Sequence, residues 1–210
     1  MYFVRTPYIV KKLFPAIIWN LPNNKNKIYL TFDDGPHPEI TPWVLTQLKK
    51  FDAKATFFCL GKNVEKHPEI VQQIIKEGHT IGNHGYAHLN GWNTDNDIYL
   101  NDYLKCQETL AQSGINTHKL FRPAYGKIKL SQIRNITNHT SIINWSVMAG
   151  DFDQSISSDQ CYKNLVENII AGDIVVLHDN EKSWKHLEYC LPKWLAFIYN
   201  KGLKSDYISL

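Results

Sequence analysis

Short apolar runs alternate with longer amphipathic stretches along almost the whole chain. The runs at 28–32, 55–59, 79–83, 119–121, 141–145, 174–177 and 204–208 have the length and the β-branched or aromatic content of buried strands. Between them, helical periodicity covers 42–50, 68–77, 95–112, 130–135, 158–171 and 184–200. Local chemistry marks several ends. Pro68 suits a first helical turn, Gly78 and Gly114 suit helix ends, and Asn93-Thr94-Asp95 offers capping side chains before the third helix.

Seven strands alternating with six helices imply an α/β protein with a parallel sheet and right-handed crossovers. Polar residues follow many of the strands: Asp33 and Asp34 the first, His84 the third, Arg122 the fourth, Asp151 the fifth, His178 the sixth. Convergence from the C-terminal ends of many strands is what a barrel active site requires, whereas an open sheet gathers ligands at one switch point. The expectation is therefore a closed or nearly closed barrel. No repeat, low-complexity tract or linker divides it, so residues 1–210 read as one domain, with 1–26 as an N-terminal extension packed on it.

Composition narrows the function classes. The formal charge is only +3 over 210 residues and the lysines are scattered, which argues against nucleic-acid binding. No apolar run reaches membrane-spanning length; that at 14–19 is broken by Pro15. Arg5, Lys11 and Lys12 interrupt the early apolar stretches and no small-residue cleavage site follows, so no export signal is legible. That favours the cytoplasm, and a monomer is expected. Cys59, Cys106, Cys161 and Cys190 lie far apart without a CxxC pair and read as buried free thiols.

The chemistry concentrates in four places. Thr31-Phe32-Asp33-Asp34-Gly35-Pro36 sets two adjacent carboxylates at a strand end, where their repulsion calls for a cation. His84 and His88, at i, i+4 spacing, can reach one metal ion if the segment turns helically. Asp34 is the natural third ligand, and two imidazoles with one carboxylate suit Zn²⁺ or a related divalent ion (Co²⁺, Ni²⁺ or Mn²⁺). Asp33 is then free to act as a base, oriented by an arginine such as Arg122. His178 is a candidate acid, given a nearby carboxylate. Asp179 reads as a cap for the following turn.

The ordered set TFDDGP (31–36), NH-x-x-x-H (83–88), RPAYG (122–126) and LHD (177–179) resembles the polysaccharide deacetylase family, also called the NodB homology domain or carbohydrate esterase family 4. The resemblance runs from about Lys27 to the C-terminus. It implies a distorted (β/α)₇, TIM-like barrel and a metal-dependent hydrolase. By position it makes Asp33 the base, Asp34, His84 and His88 the metal ligands, and Arg122 the residue that orients the base. It also points to the Tyr125 backbone N–H as an oxyanion donor and to His178 as the acid. Members of the family are often exported.

Some positions depart from the family pattern. Gly85 stands where a serine or threonine is usual and is expected to loosen the loop without removing a ligand. Met148 occupies the frame of an expected acid, so the carboxylate supporting His178 must come from Asp151 or Asp153 or be missing, with a weaker acid or a different partner arrangement as the expected consequence. Phe152 and Val176 replace the usual tryptophan and leucine and can line an acetyl-methyl pocket, while Trp92, Tyr125 and Trp145 can stack on sugar rings. The expected activity is removal of N-acetyl groups from an N-acetylglucosamine-type glycan, chitin-like or peptidoglycan-like. The alternatives are an O-acetyl esterase and a catalytically weakened sugar-binding barrel.

Overall fold

The computed structural model describes residues 2–22, 26–115, 119–138 and 140–210. Positions 1 and 23–25 of the expected N-terminal extension lie outside the described residues. The N-terminal segment forms a short helix, α1 (Tyr8–Leu13), and a two-residue strand, β1 (Ile17–Ile18). The regular alternation starts with β2 (Lys27–Asp33), α2 (Ile40–Lys50), β3 (Thr56–Cys59), α3 (Gly61–Lys66), α4 (Pro68–Lys76) and β4 (Thr80–Asn83). It continues with α5 (Asn96–Gln112), β5 (Leu120–Phe121), α6 (Leu130–Thr137), β6 (Ser141–Ile143) and β7 (Val147–Met148). The chain ends with α7 (Ser158–Asn168), β8 (Ile174–His178), α8 (Trp184–Asn200) and β9 (Lys204–Asp206).

All the strands join one curled sheet in the order β1-β6-β5-β4-β3-β2-β8-β7, and every paired ladder is parallel. β9 pairs with Lys27–Tyr29 at the start of β2, below the stretch Thr31–Asp33 that pairs with β3. Parallel strands covered by helices are buried on both faces, which is why β2, β3 and β8 read as nearly continuous apolar runs. Outside the sheet, α4 buries Ile70, Val71 and Ile74, and α8 buries Leu187, Leu191, Trp194, Leu195 and Ile198. Each such side chain contributes about 1.5–3 kcal/mol of transfer free energy.

Local signals behave as their chemistry dictates. Pro68 opens α4, Asp95 caps α5 by accepting from Asp97 N, and Gly78 and Gly114 take the positive φ of helix ends. All four cysteines are buried and free.

The expected strand 141–145 does not run through. It stops at Ile143, bends through Asn144-Trp145-Ser146, and resumes as β7 beside β8 instead of β5. This break is the seam of the barrel, and residues 4–21 fill it. Asn144 N donates to Ile18 O (2.8 Å), Thr6 N to Ser146 O (2.9 Å), Met148 N to Val4 O (2.8 Å) and Leu21 N to Gly172 O (2.9 Å). Backbone groups that a closed ladder would have paired are satisfied by the N-terminal segment.

Buried Asp173 anchors that segment. It accepts from Arg5 Nη1 (2.9 Å) and Nη2 (3.1 Å), from Ser146 Oγ (2.8 Å) and from Ile170 N (2.8 Å). Arg5→Ala leaves this carboxylate short of its charged donor. We expect a loss of about 2 kcal/mol, read as a melting temperature lower by about 5 °C in calorimetry. An unchanged melting temperature would show that the seam closes without the pair.

Candidate active site

β2 delivers Asp33 and then turns sharply at Asp34, whose φ is 80°. A short polar side chain tolerates that left-handed conformation better than most. The turn is held from three sides: Asn63 Nδ2 donates to Asp34 O (2.7 Å), Gly35 N to Asp179 Oδ1 (3.1 Å), and Thr41 Oγ1 to Asp179 Oδ2 (2.5 Å). A Cβ on Gly35 would stand 2.2 Å from Asp179 Oδ2, so only glycine fits. Burial lifts the Asp179 carboxyl to about 7 against the opposing hydrogen bond from Thr41. Asp179 therefore braces the TFDDGP turn. The cap of the next turn, expected from Asp179, comes from Asn180, whose Oδ1 accepts from Ser183 N (2.9 Å).

This backbone separates the two carboxylates. Asp33 Oδ1 accepts from Arg122 Nη1 at 2.7 Å, and both residues are buried. The guanidinium also donates to Thr31 Oγ1 (2.6 Å), Ile143 O (3.3 Å) and Asn144 O (3.3 Å), with the Phe58 ring 4.1 Å away. A planar cation with this many partners is pinned, and it pins Asp33.

Asp34 faces elsewhere. Its Oδ1 is buried without a hydrogen-bond partner, 3.2 Å from His88 Nε2 and 3.5 Å from His84 Nε2. Asp34, His84 and His88 each offer a ligand atom within 4.8 Å of the others. Donation from His84 Nδ1 to Arg122 O (2.8 Å) turns Nε2 toward Asp34, where it can carry a proton or, once that proton is lost, offer a lone pair to a metal ion. Burial disfavours the Asp34 charge, yet His84 at 3.5 Å and the positive charges of His178 and His88 hold its carboxyl well below the usual range. His84 is itself raised, since Asp33 and Asp34 outweigh its burial, while burial and the His84 charge lower His88 to about 4. The carboxylates thus draw a proton onto one imidazole and leave the other neutral. A divalent ion satisfies the same charges in the proton's place, so the residues fit a metal.

The histidine loop is not the helical turn that the i, i+4 spacing suggests. His84 to His88 run through a bend, with positive φ at Gly85 (80°) and His88 (63°), and the rings meet with centroids 5.2 Å apart. Asp102 on α5 accepts from Tyr86 N (2.8 Å) and Ala87 N (2.9 Å), and Asn83 Oδ1 accepts from Gly85 N (2.7 Å). A Cβ at Gly85 would lie 2.6 Å from Asp102 Oδ2. Instead of loosening the loop, glycine lets Asp102 close on it.

Across the cleft stands His178. Its Nδ1 pairs with Asp151 Oδ1 (2.9 Å) and its backbone N donates to Asp151 Oδ2 (2.7 Å). Asp151 is thus the supporting carboxylate. Asp153 instead binds Ser155 and the Tyr2 hydroxyl (3.0 Å). Burial opposes the imidazolium, but Asp151 outweighs it and raises His178 to about 9.

The cleft between these groups has a volume of about 480 Å³. Tyr125, Trp145, Met148 and Phe152 form its apolar wall. The Tyr125 ring lies 4.4 Å from His88, and Phe152 packs edge-on at 5.4 Å from His178. Tyr125 has a φ of 59°, and its N–H takes no part in the turn's own bonds, which run from Gly126 N and Lys127 N. Val176 does not reach the wall. Alternation along β8 sets it on the His178 face but one layer deeper, fully buried in register with Thr31 and Met148. Trp92 is also outside the cleft lining, exposed and bonded through Nε1 to Ile128 O (3.3 Å).

The His178–Asp151 pair sets a pH dependence. A folded-state value of about 9, above the ordinary 6.5, means that the pair's stabilisation is complete below about pH 6.5 and is lost as pH rises through 9. In metal-stripped protein we expect the NMR titration of His178 to fall toward its ordinary value in Asp151→Asn. A titration midpoint unmoved by that change would remove Asp151 as the partner.

Known proteins of similar sequence and structure place the chain in a family. The family described as polysaccharide deacetylase matches residues 20–142. A peptidoglycan-N-acetylglucosamine deacetylase of Bacillus cereus is 41% identical over 164 residues, which are 78% of this chain and 59% of that protein. The chain thus spans about three-fifths of that relative's length. A second Bacillus cereus protein of the same name is 33% identical over 199 residues, covering 92% of each. A crystal structure of a peptidoglycan N-acetylglucosamine deacetylase, in complex with 4-naphthalen-1-yl-N-oxidanyl-benzamide, superimposes with a TM-score of 0.85 at 35% identity, covering 98% of this chain and 95% of that one. The curled parallel sheet is therefore a distorted (β/α)₇ barrel, and the chain belongs to the polysaccharide deacetylase family.

Proposed function

We propose that the protein is a metal-dependent deacetylase that removes N-acetyl groups from N-acetylglucosamine-type glycans. One observation carries the reading: Asp34 Oδ1 is buried, unpartnered and faced by two imidazole nitrogens, while its neighbour Asp33 is turned onto Arg122. The relatives named above for peptidoglycan N-acetylglucosamine support the substrate class.

Asp34, His84 and His88 would hold the ion, and this donor set suits Zn²⁺. When bound, the ion supplies Lewis-acid polarisation of the acyl oxygen and acidifies water. Asp33 takes the proton from the attacking water, with Arg122 fixing its carboxylate in place. The Tyr125 N–H donates to the developing oxyanion. His178, kept as an imidazolium by Asp151, protonates the departing amine. Met148 and Phe152 receive the acetyl methyl, and Tyr125 and Trp145 offer faces to the sugar ring. Acetate and a free amine leave.

The O-acetyl esterase reading differs in its products, acetate and a sugar hydroxyl. The weakened-barrel reading rested on Met148; the Asp151 contact with His178 supports the catalytic reading over it. Acetate and amine release from N-acetylglucosamine oligomers tests the proposal. Chelator should abolish release, and Asp33→Asn should lower kcat by about 10²–10⁴ with bound metal unchanged. Release at the parent rate by Asp33→Asn, or release of acetate without amine from mixed substrates, would overturn it.

A further inference from the structure

Asp34 carries two oxygens, and the metal reading uses one. The other, Oδ2, accepts from Asn180 Nδ2 at 2.6 Å. Asn180 lies just beyond β8, two residues after His178, and lines the same cleft. Its amide orientation follows from its second bond. Ser183 N can only donate, so the oxygen it contacts at 2.9 Å is the carbonyl Oδ1, and the NH₂ group must face Asp34. A neutral donor there meets the carboxylate without adding charge to the site.

We propose that Asn180 is a positioning residue for Asp34: it occupies Oδ2 and so presents Oδ1 alone to the ion. The inference rests on the metal reading above. Asp34 leaves the strand at a φ of 80° beside a second carboxylate, and backbone geometry alone does not fix its side-chain rotation. Asn180 supplies that constraint from the turn that follows His178. Residues 178, 179 and 180 then each hold one part of the centre: His178 sits on Asp151, Asp179 holds the Gly35 amide, and Asn180 holds the ligand.

Two substitutions separate this role from a structural one. Asn180→Ser keeps a side-chain oxygen able to accept from Ser183 N, as serine does at helix starts, but is one bond too short to reach Asp34. Asn180→Ala loses both contacts. The measurement is the zinc dissociation constant of stripped protein by chelator competition, alongside the melting temperature without metal. Both variants should bind zinc about 10–100-fold more weakly than the parent, the usual cost of removing a group that orients a ligand. Only Asn180→Ala should melt lower. Zinc binding by Asn180→Ser within twofold of the parent overturns the inference while leaving the metal reading intact. A parent protein that binds no zinc overturns both.

Discussion

The buried pair of Arg122 and Asp33 is the contact on which the rest of the centre depends. A guanidinium removed from water is costly unless its donors are used, and here Nε, Nη1 and Nη2 make four bonds between them. Two of those acceptors are the carbonyls of Ile143 and Asn144, where the sixth strand breaks. The arginine thereby ties β2 to the seam of the barrel across its interior. It also commits one oxygen of Asp33, which lets the adjacent Asp34 face a cation without the two acids competing for it. The Arg122 carbonyl carries the constraint one step further by fixing the His84 ring.

The barrel gathers these parts because its strands all point the same way. Asp33, His84, Arg122 and His178 arrive at or just past the C-terminal ends of β2, β4, β5 and β8, and the loops beyond need only modest adjustment to bring them together. Those adjustments are visible as non-glycine residues with positive φ at Asp34, His88 and Tyr125, three positions lining one cleft. Backbone held outside its usual regions needs support from its surroundings. The support is specific: Asn63 and Asp179 for the first turn, Asp102 and Asn83 for the second.

Much of this was legible in the chain itself. The strands of the central sheet could be placed because parallel strands buried on both faces are uninterrupted apolar runs, and Asp33, Asp34, His84, His88, Arg122 and His178 stand in recognisable motifs. What was not legible depends on contacts between distant segments. The choice of Asp151 over Asp153 turns on the bend after β7, which no local pattern announces. The histidine loop looked helical from its spacing, and it is held out of a helix in large part by Asp102, fourteen residues beyond His88. Val176 sits on the correct face by alternation, yet depth along the strand is set by the register with β2 and β7. β1, β7 and the short helices α1 and α3 are too brief to show a period.

On the metal reading, the two adjacent carboxylates hold different partners: Asp34 a metal ion and Asp33 an arginine. A crystal structure of the zinc-loaded protein, with the ion located by anomalous scattering, tests this directly. We expect one ion in contact with Asp34 Oδ1, His84 Nε2 and His88 Nε2, while Asp33 stays on Arg122. An ion bound by Asp33, or one seated away from the two histidines, would contradict it.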